Sequence, residues 1–145
     1  MKIIVITDTH NYIDYARMII NKTAGVTDVI HLGDVVSDAI ELSSIFPRVN
    51  FHYVKGNNDW FSNAKEELFM CACGKNILAV HGHQYRVKNG LLNLYLKAKS
   101  IGADVVLFGH THVMCDTVSD GIRFINPSPS GYAIIDDNGI GVYEY

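Results

Sequence analysis

The sequence predicts an α/β fold: two mixed β-sheets packed face to face, with helices outside. Three observations point there. Apolar, β-branched runs alternate with helical patterns through the first third of the chain. A later stretch carries only short strands separated by turn signals. No linker, repeat or low-complexity segment divides the chain, so its 145 residues are expected to form a single domain, residues 1–145.

Each element follows from its residues. The run 2–7 is rich in isoleucine and valine and reads as a buried strand. Residues 12–24 place Ile13, Ala16, Ile19 and Ile20 at helical spacing, with Gly25 as the stop. A second strand is expected at 28–32. Ser37 is a candidate cap for a helix carrying Ile40, Leu42 and Ile45, which Pro47 ends. Residues 50–54 complete a strand-helix-strand-helix-strand series, the pattern of a parallel sheet with right-handed crossovers. Residues 67–73 and 76–80 flank Gly74-Lys75 as a hairpin. Leu91, Leu94, Tyr95, Ala98 and Ile101 share one face of an amphipathic helix ended by Gly102. A strand at 104–108 follows, then short strands at 114–118, 122–125, 132–135 and 141–145. Asp120-Gly121 and Asn138-Gly139 mark turns between them.

Composition narrows the function. The 48% hydrophobic content excludes intrinsic disorder, yet no apolar run approaches the roughly 20 residues of a membrane helix. Twelve basic and fifteen acidic residues give a formal charge of −3, so a duplex nucleic-acid partner is not expected. The opening residues pass from strand to polar cluster without the cleavage region of a signal peptide, and a cytoplasmic protein with no membrane partner is expected. Three cysteines, Cys71, Cys73 and Cys115, lack Cys-x-x-Cys spacing and read as reduced thiols buried in strands.

Five short clusters of metal-type residues each follow an apolar strand: Asp8 and His10; Asp34; Asn57, Asn58 and Asp59; His81 and His83; His110 and His112. The carboxyl ends of parallel strands form the ligand crevice of an α/β sheet, so five strands aim Asp, Asn and His at one rim. In an extended segment the paired residues two apart would face the same way. A carboxylate can bridge two cations, and imidazole and amide donors complete coordination without excess negative charge. His31 and His52 lie inside strands and read as packing or supporting residues.

These blocks resemble, in order, those of the calcineurin-like metallophosphoesterases: Asp8-Thr9-His10, Gly33-Asp34, Gly56-Asn57-Asn58-Asp59, His81-Gly82-His83 and Gly109-His110-Thr111-His112. The small bacterial and archaeal phosphodiesterases of the YfcE type are the branch most similar, with Asn126-Pro127-Ser128 matching their ending. The resemblance implies the superfamily's two-sheet sandwich and a hydrolase acting on a small phosphoester, first of all a phosphodiester and also a monoester. Asp8, His10 and His112 would hold one ion and Asn57, His81 and His110 a second, with Asp34 bridging. Mixed nitrogen and oxygen donors suit divalent transition metals, Mn²⁺ first, then Ni²⁺, Co²⁺, Fe²⁺ or Zn²⁺. A water or hydroxide between two ions about 3.5–4 Å apart would attack phosphorus. The resemblance also implies homo-oligomers.

One position departs from the wider superfamily. Asn58 stands where a histidine is the expected general acid, which predicts a preference for good leaving groups. His83 is the candidate substitute acid, with a supporting role beside the ligands as the other reading. Asn58 is a candidate hydrogen-bond donor to phosphate. Ser128 and Arg86 could approach the site, but a structural turn and a solvated side chain are expected. Trp60 and Phe61 are expected to pack, the other reading being an apolar wall for an organic group. The alternative function is a non-catalytic protein-binding scaffold of the same fold, similar to the superfamily's retromer subunit. A complete set of competent ligands argues against it.

Overall fold

All four side chains of β1 (Ile3–Ile6) are buried, because both faces of the strand are covered. Ile3 and Val5 turn towards the second sheet, and Ile4 and Ile6 turn towards helices, as the period of two requires. The computed structural model describes residues 1–145 and repeats this logic through ten strands and three α-helices. After β1 come α1 (Asp14–Lys22), β2 (Asp28–His31), α2 (Val36–Ile45) and β3 (Asn50–Tyr53). The second sheet begins with β4 (Glu67–Ala72) and β5 (Lys75–Val80), followed by α3 (Leu92–Ile101), β6 (Val105–Leu107), β7 (Cys115–Ser119) and β8 (Ile122–Asn126). The chain then returns to the first sheet through β9 (Gly131–Asp136) and β10 (Gly139–Glu144).

Both sheets are five-stranded and mixed, in the orders β10-β9-β1-β2-β3 and β4-β5-β6-β8-β7. Each contains a parallel triplet, β1-β2-β3 in one and β5-β6-β8 in the other, flanked by antiparallel strands. The expected α/β sandwich is therefore observed. The sheets meet over Ile3, Val5, Ile30, Leu32, Ile77 and Leu107. Leu94 and Ala98 of α3 cover the outer face of the second sheet, and Ala16, Ile19 and Ile20 of α1 that of the first.

Local details differ from the sequence expectations. Ser37 does not cap α2, whose first residue is Val36. The Asp59 carboxylate, arriving from the loop after β3, accepts the Val36 N–H at 2.8 Å instead. Val36, Asp38, Ala39 and Leu42 are the buried residues of that helix, and Ile40 is 53% exposed. The β4–β5 turn falls at Cys73-Gly74, both with positive φ. Cys71 is exposed, and Cys73 and Cys115 are half-buried, so the thiols are not core residues. Two single-turn 3₁₀ helices at His83–Tyr85 and Val87–Asn89 were not expected. No helix is long and apolar enough to cross a membrane.

Candidate metal centre

The six strands of the two parallel triplets end at one rim of the sandwich. β1 delivers Asp8 and His10, β2 Asp34, and β3 Asn57 and Asn58. From the other sheet β5 delivers His81 and His83, β6 His110 and His112, and β8 ends on Asn126. Asp8, Asp34 and His81 form the buried floor; His10, Asn57, Asn58 and His112 are exposed at the mouth.

The backbone achieves this convergence by left-handed turns, not by the extended segments expected from sequence. Asp8, His10, Asp34, His110 and His112 all have φ between 46° and 69°. The same is true of Val35, for which such a conformation is rare because its branched β-carbon crowds the backbone. Local strain of this kind persists where surrounding structure fixes it and clusters at functional sites. Two glycines make the close approach possible. A Cβ on Gly56 would strike the Asp34 carboxylate and backbone nitrogen, and one on Gly109 would strike Asp8 Oδ2 and the Thr7 hydroxyl.

Supporting hydrogen bonds orient the carboxylates. Asp8 Oδ2 accepts the Thr7 hydroxyl at 2.5 Å and the His110 N–H at 3.2 Å. Asp8 Oδ1 is left facing His112 Nε2 at 3.2 Å, His81 Nε2 at 3.9 Å and His10 Nε2 at 4.0 Å. Asp34 Oδ1 lies 3.5 Å from His81 Nε2 and Oδ2 lies 3.9 Å from His10 Nε2. Asp8, His10, Asp34 and His112 thus offer donor atoms all within 4.8 Å of one another, a group that could hold a metal ion.

A second set meets at His81. Its Nδ1–H donates to the Leu32 carbonyl at 2.9 Å, which leaves Nε2 to offer its lone pair to the cluster. That lone pair faces Asn57 Oδ1 at 3.1 Å and His110 Nδ1 at 3.2 Å. Lone pairs converging this closely, beside two buried carboxylates that no lysine or arginine approaches, fit a divalent cation. Burial, and then the neighbouring His81, push His110 and His83 below the usual histidine value. Both rings are neutral at pH 7, the form in which imidazole ligates metal.

The remaining candidates separate. His83 packs beside the ligands, its ring centroid 5.5 Å from that of His81 and 6.1 Å from that of His110, and its buried Nδ1 has no hydrogen-bond partner. Asn58 lies on Asp34. Arg86 is exposed at the surface. His31 is fully buried and bonds the Thr9 hydroxyl and the Gly33 N–H, while His52 pairs with Asp28 at 2.9 Å. Ser128 makes a turn by accepting the Ser130 N–H. Trp60 and Phe61 do not pack: they are 83% and 102% exposed.

Sequence reasoning gave no supporting role to two residues that have one. Asn126 is fully buried and donates to the Gly109 carbonyl at 3.1 Å and the Thr111 hydroxyl at 2.9 Å, clamping the His110–His112 turn. Asp38 accepts the Thr9 hydroxyl and the Asn11 N–H, fixing the loop that carries His10. A polar residue at the end of an apolar strand was the available signal for Asn126. Asp38 sits in a helix at no tell-tale spacing and had none.

The chain matches the calcineurin-like phosphoesterase superfamily domain over residues 1–139. It is 36% identical over 129 residues to "Probable metallophosphoesterase YsnB" of Bacillus subtilis, covering 88% of this chain and 73% of that protein. It is 30% identical over 145 residues to "Phosphodiesterase MJ0936" of Methanocaldococcus jannaschii, covering 88% of this chain and 82% of that one. Among solved structures, Vps29 of Entamoeba histolytica complexed with zinc superposes with a TM-score of 0.80, covering 96% of this chain and 87% of that one. Identity there is 21%, so that likeness is one of fold alone.

Proposed function

The chain belongs to the calcineurin-like phosphoesterase superfamily, and on that premise we propose that it is a dinuclear, metal-dependent phosphodiesterase. The observation that carries this reading is the convergence on Asp34 of donor atoms from both sheets, with His81 Nε2 on one carboxylate oxygen and His10 Nε2 on the other. Asp8, His10 and His112 would hold one divalent ion, and Asn57, His81 and His110 a second, with Asp34 shared between them. Mn²⁺ suits these nitrogen and oxygen donors, as do Ni²⁺, Co²⁺, Fe²⁺ and Zn²⁺. When bound, such a pair of ions supplies Lewis acidity for phosphoryl oxygens and makes water a nucleophile near neutral pH.

The protein's own groups set the rest. Asp8 and Asp34 are pinned by hydrogen bonds from Thr7, His110 and Asn58, so the ligands need little reorganisation. Asn58 has no acidic proton to give. His83 is neutral at pH 7, so it is a weak source of a proton for the departing oxygen. Substrates with stabilised leaving groups, such as aryloxides, are therefore favoured.

The test is hydrolysis of bis-p-nitrophenyl phosphate after chelation and re-addition of Mn²⁺, Ni²⁺ or Co²⁺. Metal-dependent release of p-nitrophenol supports the reading, and silence with all three overturns it. One observation favours a second reading, a protein-binding scaffold: the bare Trp60 and Phe61 side chains beside the site. That reading leads if metal binds and no phosphoester is turned over.

A further inference from the structure

A cavity of about 450 Å³ opens from the His10 and His112 side of the cluster. Its lining joins the metal-type residues Asp8, His10 and His112 to an aromatic wall that includes Tyr12, Tyr15 and Tyr145. The aromatic wall is already assembled. The Tyr15 and Tyr145 rings stack with centroids 5.0 Å apart and an interplanar angle of 18°, and Tyr12 meets Tyr15 edge-on at 5.4 Å. Tyr145 leans in turn on Tyr132, which stacks on Tyr143. Even so, Tyr12 and Tyr15 remain 56% and 48% exposed. Rings held this way offer flat apolar surface at little entropic cost.

We infer that this cleft is a subsite for a neutral planar ring, an aryl group or a nucleobase, carried on the ester group that stays on the phosphorus when the leaving group departs, with the phosphate at the metal centre. The inference rests on the phosphoesterase reading and names the substrate class. No lysine or arginine lines the cleft, so a second phosphate finds no partner there. A ring does, because stacking on tyrosine is tolerant of ring identity. The other cavities near the cluster fit less well. One, of about 450 Å³, has Trp60 in its lining, but Lys55, Asp59, Glu66 and His83 surround it with charged and polar groups that suit a neutral ring less. Another, of about 710 Å³ under Trp60 and Phe61, meets the cluster only at Asn58, which is already held on Asp34.

The test compares two substrates with the same leaving group, the p-nitrophenyl ester of thymidine 5′-phosphate and methyl p-nitrophenyl phosphate, on the Mn²⁺-loaded protein. The thymidine ester is expected to lead in kcat/KM by about tenfold, the scale of one stacked base. Tyr12→Ala should collapse that ratio towards one, and Tyr12→Phe should keep it, since the ring is what matters. A wild-type ratio near one, or a ratio unchanged in Tyr12→Ala, overturns the subsite. If neither ester is hydrolysed with Mn²⁺, Ni²⁺ or Co²⁺, the phosphoesterase reading fails separately. The subsite is then judged by titrating metal-free protein with thymidine and following backbone amide resonances. Shifts centred on Tyr12 and Tyr15 sustain it, and unmoved resonances at millimolar thymidine overturn it.

Discussion

Asn58 holds Asp34 twice: its backbone N–H donates to Oδ1 at 3.2 Å and its side-chain amide to Oδ2 at 2.8 Å. The residue that stands where the superfamily's acid is expected thus clamps the carboxylate proposed to bridge the ions. Removing a group that orients a ligand typically lowers metal affinity 10- to 100-fold. Asn58→Ala should therefore bind Mn²⁺ about tenfold more weakly or worse by calorimetry, with the circular dichroism spectrum unchanged. Equal affinity would show that the clamp does not matter. Asn58→His restores a titratable group, and should speed esters of poor leaving groups more than p-nitrophenyl esters; equal gains on both would remove the acid argument.

Asp34→Asn keeps the shape of the side chain and removes the shared charge. Turnover should fall by at least about a hundredfold, since losing a ligand costs no less than losing a group that merely orients one. Retained turnover with two bound ions per chain refutes the bridging assignment.

Gly56→Ala places a methyl group against the Asp34 carboxylate and backbone. The overpacked loop should cost about 1–3 kcal/mol of stability in urea titration, and metal binding should weaken with it. A variant as stable as the parent, with parental Mn²⁺ affinity, contradicts the close approach.

His31 gives the fold a pH dependence. Burial dominates and pushes its pKa down to about 4, with His81 pushing the same way and Asp38, Asp8 and Asp59 opposing. Between pH 4 and about 6.5 the unfolded chain takes up a proton that the folded one refuses, so stability falls as pH falls through that window. The loss approaches about 3 kcal/mol at pH 4. In His31→Gln the difference in urea midpoint between pH 7 and pH 4.5 should shrink. An identical difference in both proteins contradicts a neutral buried ring.

Trp60 is the protein's single tryptophan and is 83% exposed, next in chain to Asp59 and near Asn58. Its emission should be red-shifted and quenched by iodide almost as readily as free indole. A blue-shifted, protected emission would mean that the ring is covered in solution, as a scaffold or oligomer surface would be.

Much of this architecture was legible in the sequence. The strands were found because β-branched runs alternate with helical spacing, and the site because metal-type residues recur just after strands. What was not legible were features made between distant segments. Asp59 displaced Ser37 as the cap of α2 because the loop after β3 folds over that helix end. The Asp8–His10 and His110–His112 pairs face inward through left-handed turns because tertiary contacts override the extended default. Trp60 and Phe61 carried the apolar signature of core residues, yet the loop after β3 leaves both side chains on the surface.

Asp8 and His112 stand 104 positions apart in the chain yet 3.2 Å apart in space. An ion held by both would close more than two-thirds of the 145-residue polypeptide into one ring. A disulfide over such a span removes loop entropy from the unfolded chain, whereas the ion leaves when the chain unfolds and stabilises the fold by binding it alone. Unlike a disulfide it is reversible and set by concentration, because the folded form is favoured by mass action. Metal supply would then govern how long each molecule survives as well as whether it turns over substrate.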